Sequence, residues 1–162
     1  MTDSTSTSPS AIGLMVPEFT AAATGGDFKL ANFRGKSLVI YFYPKDSTPG
    51  CTTEAMQFRD QSAAFKAAGC VVVGVSRDSI KSHENFKAKL GLPFELISDG
   101  DETVCKLFDV IKTKNMYGKQ VQGIERSTFL IDAAGVLRNE WRKVKAEGHA
   151  GDVLAAAQAL AA

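Results

Sequence analysis

The sequence predicts an α/β fold: a central mixed β-sheet with a parallel core and an antiparallel edge, helices on both faces, and a β-hairpin extension at the N-terminal side. Three observations predict it. The stretches "SLVIYFY" (37–43) and "CVVVGVS" (70–76) are continuous apolar, β-branched runs, the pattern of strands buried on both faces of a parallel sheet. Segments with helical spacing that end in glycine follow each of them, as in β–α–β units. Near the C-terminus two further strand-like runs flank "AAG" and read as an antiparallel hairpin.

Taken in order, residues 1–12 are rich in Ser and Thr and poor in apolar side chains, the composition of a disordered tail; residues 13–162 are expected to form one domain. Short apolar runs around Phe19 and Phe28, separated by Gly25-Gly26, suggest a small hairpin leading into a helical turn. The strand from Ser37 to Tyr43 follows and Pro44 ends it. Apolar residues from Thr52 to Ala68, with Gly69 after them, fit a helix closed by glycine. After the strand 70–76, Ser79 is a plausible N-cap for a helix ending at Gly91. "FELIS" is a third strand, and 101–110 a short helix with Val104, Leu107 and Phe108 on one stripe. "KTKNMYGKQVQG", with Lys112, Lys114 and Lys119, reads as a solvated basic loop. "STFLID" and "VLRNEWRKV" make the hairpin, and "GDVLAAAQALA" the closing helix. In such a sheet the chemistry sits at the carboxyl ends of the strands, and the loop after Tyr43 is one of these ends.

Composition narrows the function. The chain has 162 residues with 19 Lys plus Arg against 18 Asp plus Glu, so it has no electrostatic pull towards nucleic acid or anionic lipid, and a small-molecule substrate is the simpler expectation. No apolar run approaches membrane-spanning length, and "MTDSTSTSPS" lacks the basic and apolar regions of a signal peptide, so a cytoplasmic protein is expected. The three cysteines, Cys51, Cys70 and Cys105, match no zinc spacing, and the only histidines, His83 and His149, form no HxxxH pattern; no metal site is expected.

Cys51 follows a Pro-Gly pair at the start of a predicted helix. The first turn of a helix offers unpaired N–H groups and the positive end of the macrodipole, which favour thiolate over thiol. Pro49 suits the first helical position and Thr48 its N-cap, with the hydroxyl accepting from the first turn. From position alone Cys51 is either a reactive thiol or a small buried hydrophobe at a helix start. Dithiol chemistry of the CxxC kind is excluded locally, because Thr48 and Glu54 stand three residues to either side. A Cys-His hydrolase needs an imidazole base, and His83, on a helix that looks solvent-facing, and His149, near the last helix start, read as surface residues.

"YFYPKDSTPGC" places Pro44, Thr48 and Cys51 in the spacing PxxxTxxC, and "GVSRDS", "FELISDGD", "NMYGK" and "ERSTFLID" follow it in order. Together they resemble the peroxiredoxins, in particular the PrxQ or bacterioferritin comigratory protein branch, from about Val16 to the C-terminus. The resemblance implies a thioredoxin-like fold, no bound cofactor or metal, and a thiol-dependent peroxidase. It makes Cys51 the peroxidatic cysteine, whose thiolate takes an oxygen from a hydroperoxide and becomes a sulfenic acid. Arg126 matches the active-site arginine that stabilises the thiolate and the transition state. Thr48 would hydrogen-bond the peroxide and Pro44 shield the sulfur. Glu54 either orients Arg126 through a carboxylate–guanidinium pair or is an exposed helix-start acid.

In that branch a resolving cysteine stands five residues after the peroxidatic one or in the next helix; here those positions hold Met56 and Lys87. Cys70 reads as a core residue at a strand start, and Cys105 as half-buried packing or partly accessible. The expectation is a 1-Cys mechanism in which thioredoxin, glutaredoxin, glutathione or another small thiol reduces Cys51 directly. Two alternatives stay open: an atypical 2-Cys peroxidase resolving through Cys105 or Cys70 with thioredoxin, and a redox sensor whose Cys51 oxidation changes a partner contact. A monomer is expected, from the resemblance and from the lack of an exposed apolar stripe.

Overall fold

In the computed structural model, which describes residues 11–161, the two buried runs pair as parallel neighbours. β1 (Thr20–Ala21) and β2 (Phe28–Lys29) form the small N-terminal hairpin, and a short 3-10 turn, Leu30–Phe33, follows. β3 (Ser37–Phe42) lies parallel to β4 (Cys70–Ser76), and β4 is parallel to β5 (Leu96–Ser98). β8 (Ser127–Ile131) and β9 (Leu137–Trp141) add antiparallel strands, giving the order β5-β4-β3-β8-β9. The disordered tail expected over 1–12 falls, except for Ala11 and Ile12, outside the described residues.

Strand alternation divides the core into two layers. Leu38, Ile40, Phe42, Val73, Val75, Ile97, Phe129 and Ile131 face one side, against the N-terminal hairpin and the short helix α4 (Thr103–Leu107). Val39, Tyr41, Val72, Leu96 and Leu130 face the other. That second layer packs against α1 (Pro49–Asp60), α2 (Ser62–Ala67), α3 (Ile80–Leu90) and α5 (His149–Ala161). Gly74 is required where it stands: a Cβ there would lie 2.9 Å from both Tyr41 Cζ and Leu96 Cδ2.

Several local expectations hold to the residue. Ser79 Oγ accepts the Ser82 N–H at the start of α3, and Gly91 closes that helix in the left-handed conformation, φ 63°. Others need correction. The helix whose apolar residues run over 52–68 begins at Pro49, the first helical position expected for it, but it is broken at Gln61 into α1 and α2. α4 is shorter than 101–110 because the Asp99 carboxylate takes the N–H groups of Val104 and Cys105, which fixes its start. The basic "loop" is a hairpin, β6 (Ile111–Met116) against β7 (Lys119–Ile124). Both of its faces are largely exposed, so it carries no apolar alternation to read. Its turn is Tyr117-Gly118, both at positive φ, 53° and 79°, in place of the usual Asn-Gly signal.

Candidate active site

The loop after β3 and the first turn of α1 meet the start of β8 at the carboxyl edge of the parallel strands. Thr48 is the N-cap of α1 with extended backbone (φ −86°, ψ 154°) and Pro49 is its first residue. The Thr48 hydroxyl does not accept from the first turn, contrary to the capping role expected of it; it donates backwards to Lys45 O at 2.8 Å. Cys51 sits in that first turn and is 1% exposed. Pro44 and Thr48 are half-buried in the loop above it.

Arg126, just before β8, brings Nη2 to 3.5 Å from Cys51 Sγ and Nη1 to 2.6 Å from Glu54 Oε1. The Val144 N–H donates to Arg126 O and pins its backbone. Gly50 gives the guanidinium room, since a Cβ there would stand 3.1 Å from Nη2. Glu54 is no exposed helix-start acid: its side chain is 0% exposed. Burial pushes its carboxyl up to about 7, against the lowering pull of Arg126. Its second oxygen, Oε2, and the Tyr41 hydroxyl are buried without a hydrogen-bond partner. Tyr41 stacks on Phe58 at 4.5 Å. Burial first, then the negative charge of Glu54 and Cys51, holds its phenol well above the ordinary value. One cation is thus shared by a sulfur and a carboxylate inside the protein.

Both histidines expected at the surface are buried. His83 is 0% exposed, with Nδ1 2.7 Å from Asp46 Oδ2 and Nε2 2.9 Å from Ile97 O. His149 lies 2.7 Å from Thr128 Oγ1, beside Phe58 and Trp141, and burial pulls it down to about 4. Helical period misassigns them because both lie on faces turned to the core, where a hydrogen-bond partner far along the chain offsets the burial. Asp46, His83 and Tyr41 carry no functional signal in the sequence; the weak trace is the acid in "PKDST".

The two other sulfurs lie far from Cys51. Cys70 faces the same layer as Cys51, but it opens β4 opposite Ser37, at the end of the sheet remote from the site. Its thiol is pushed up to about 12 by burial. Cys105 is 0% exposed, not half-buried, and packs in the layer on the other side of the sheet. Burial, reinforced by Asp99, raises its thiol far above the ordinary range. The donor atoms of Asp46, Asp78 and His83 lie within 4.8 Å of one another. Asp46 Oδ2, Asp78 Oδ2 and His83 Nδ1 are engaged with protein groups, so the cluster is read as a hydrogen-bond network.

A mixed thioredoxin-like sheet that presents a buried first-turn cysteine to an arginine defines the class of a thiol-based oxidoreductase without a CxxC pair. The AhpC/TSA family model matches residues 12–140. Peroxiredoxin Bcp of Xanthomonas campestris pv. campestris is 63% identical over 127 residues, covering 78% of this chain and 79% of that protein. A Xanthomonas campestris bacterioferritin comigratory protein, solved in a study of its alkyl peroxide reduction activity, superposes with a TM-score of 0.85 at 56% identity, over 89% of this chain and 92% of that one. A cysteine-to-serine mutant of Xylella fastidiosa PrxQ gives 0.90 at 44% identity, over 96% and 99%. The chain belongs to the AhpC/TSA family, among the Bcp/PrxQ peroxiredoxins, and is a thiol-dependent peroxidase. Among the described residues, no helix is long and apolar enough to cross a membrane.

Proposed function

We propose that the chain reduces hydrogen peroxide and organic hydroperoxides through Cys51 by a 1-Cys mechanism, with an external thiol as reductant. Alkyl hydroperoxides enter this reading from the activity for which the Xanthomonas relative was studied. The Cys51 thiolate attacks the terminal oxygen of ROOH; the O–O bond breaks, Cys51 becomes S–OH, and RO⁻ leaves and takes up a proton to give ROH. Arg126, 3.5 Å from the sulfur, stabilises the thiolate and the charge that spreads from sulfur to the leaving oxygen. Glu54 holds the guanidinium in place, Thr48 binds the peroxide, and Pro44 screens the sulfur from bulk water. A first external thiol then displaces water from S–OH to form a mixed disulfide, and a second releases the Cys51 thiol. Thioredoxin, glutaredoxin or glutathione can supply these equivalents, and the protein acts as a monomer in the cytoplasm.

The observation that carries the 1-Cys reading is where the other sulfurs lie. The length of β3, six residues at about 3.3 Å each, puts Cys70 roughly 20 Å from the site, whereas a disulfide needs Cα atoms within about 7 Å. Cys105 is on the far side of the sheet from Cys51. Turnover of the double variant Cys70→Ser, Cys105→Ser is the test, together with peptide mapping without reductant after a stoichiometric dose of peroxide. Full turnover with a sulfenic or further-oxidised Cys51 is expected. A Cys51 disulfide to Cys105 or Cys70, with turnover lost in the variant, would replace this reading with a 2-Cys cycle and make thioredoxin the first reductant to assay.

A further inference from the structure

We propose that Asp46, Asp78 and His83 form a positioning unit that aims the Thr48 hydroxyl at the peroxide through the Lys45–Asp46 peptide plane; this rests on Thr48 being the peroxide-binding group. The Lys45 carbonyl and the Asp46 N–H belong to one rigid trans peptide unit and point in opposite directions. On one edge of that plane the Asp46 N–H donates to Asp78 Oδ2 at 2.9 Å. On the other edge Lys45 O accepts the Thr48 hydroxyl at 2.8 Å. Tilting the plane therefore turns the Thr48 hydroxyl.

The plane is held from several directions. The Asp46 side chain is buried and accepts from Tyr43 OH at 2.7 Å, Ser82 Oγ at 2.8 Å and His83 Nδ1 at 2.7 Å. His83 Nε2 lies 2.9 Å from Ile97 O, and a carbonyl only accepts, so Nε2 carries a proton and a second proton is shared between Nδ1 and the carboxylate. These donors outweigh the effect of burial and keep the Asp46 carboxyl below its ordinary value. Asp78 is itself fixed by the Ser76 hydroxyl, and its N–H donates to Ser76 Oγ at 3.1 Å. The loop is thus tied to the end of β4, to the first turn of α3 and to β5. A buried ion pair is a poor source of stability compared with apolar packing; what it supplies here is a single geometry for the residue three before Cys51.

The chemical consequence is specific. The proton of the Thr48 hydroxyl is committed to Lys45 O, so Thr48 faces the substrate only as an acceptor. It takes the O–H of the terminal peroxide oxygen, the atom the thiolate attacks, and leaves the second oxygen to Arg126.

The test is a double-mutant cycle between Asp78→Ala and Thr48→Val, read as the second-order rate of Cys51 oxidation by hydrogen peroxide. Alkylation by iodoacetamide is followed in parallel; it needs the sulfur but not Thr48. Thr48→Val alone should slow oxidation, and Asp78→Ala alone should slow it about tenfold, the scale of a small misplacement of a reacting group. Asp78→Ala in the Thr48→Val background should change it by less than about twofold, the non-additivity of residues acting through one another. Alkylation should stay within about twofold throughout, and Asp78→Asn, which keeps an oxygen for the Asp46 N–H, should restore most of the rate. The same slowing by Asp78→Ala in both backgrounds, or no slowing in the wild type, overturns the positioning unit. No effect of Thr48→Val removes the peroxide-binding role of Thr48 itself, and the inference falls with it. If Asp78→Ala does not fold, Ser76→Ala, which frees Asp78 Oδ2, carries the same cycle with the same reading.

Discussion

Glu54→Gln should make the protein progressively more stable than wild type as pH rises. Burial has moved the Glu54 carboxyl from 4.5 to about 7 even with Arg126 2.6 Å away. The folded chain therefore holds a proton that the unfolded chain has released anywhere between those values. Stability is complete below 4.5 and is lost as pH rises through about 7; at about 1.4 kcal/mol per pH unit the loss is about 3 kcal/mol. The introduced glutamine cannot ionise and keeps an oxygen in the buried site, so the variant mimics the protonated acid at every pH. Urea unfolding of both proteins, reduced, across this window and one pH unit above it, gives the difference directly. The variant should match wild type at the acid end and exceed it by about 3 kcal/mol at the alkaline end. A difference that does not change with pH refutes the reasoning, because Glu54 would then be ionised throughout, as an ordinary surface acid is. The difference curve is needed because His149 titrates with the opposite sign in an overlapping window.

His149→Gln addresses that second group. The imidazole is pulled from 6.5 to about 4 by burial, so its contribution is present above 6.5 and lost as pH falls through about 4; the variant should lose this acid-side decline, and an unchanged decline in urea unfolding would count against it. Gly50→Ala separates stability from activity. Gly50 is the second residue of α1, where alanine loses less backbone entropy on folding than glycine, but the alanine Cβ meets Arg126 Nη2 at 3.1 Å and pushes the guanidinium off Cys51. Stability by thermal unfolding should hold or rise while the rate with peroxide falls; an undiminished rate would mean that the guanidinium position does not matter.

How far the sequence can be read depends on whether each interaction is local. The strand Cys70–Ser76, the Ser79 cap and the Gly91 stop are legible because each is decided within a few residues. Pro44, Thr48 and Cys51 stand close together as one contiguous motif, but the roles expected of them come from the resemblance. Arg126 is likewise assigned by resemblance, and no local pattern could pair it with Glu54, which it reaches across 72 positions of chain. His83 meets Asp46 across 37 positions, and no period or spacing links them, so a buried network reads as a solvent-facing helix. Cys105 is placed too near the surface because a helix of five residues is too short to show which face it buries. The β6–β7 hairpin escapes for the opposite reason: it buries almost nothing, so its pattern is not constrained by a core.

The side chains at the two places where the family puts a resolving sulfur bear on how Cys51 is regenerated. Met56 is 36% exposed on α1, and its thioether has no thiol to form a disulfide. Lys87 makes a partly exposed ion pair: its ammonium meets Glu95 Oε1 at 2.6 Å, and the same oxygen accepts from Thr24 Oγ1 at 2.6 Å. Thr24 in turn receives the Leu96 N–H and gives its own N–H to Leu96 O. α3 is thereby joined to β5 and to the chain next to the N-terminal hairpin. A cysteine that must leave its helix to meet another sulfur needs that helix to loosen; a lysine at this position ties the helix down instead. Under the proposed 1-Cys reading, the first turn of α1, between the Asp46 network and the Glu54–Arg126 pair, is then the segment an external thiol opens to reach Cys51.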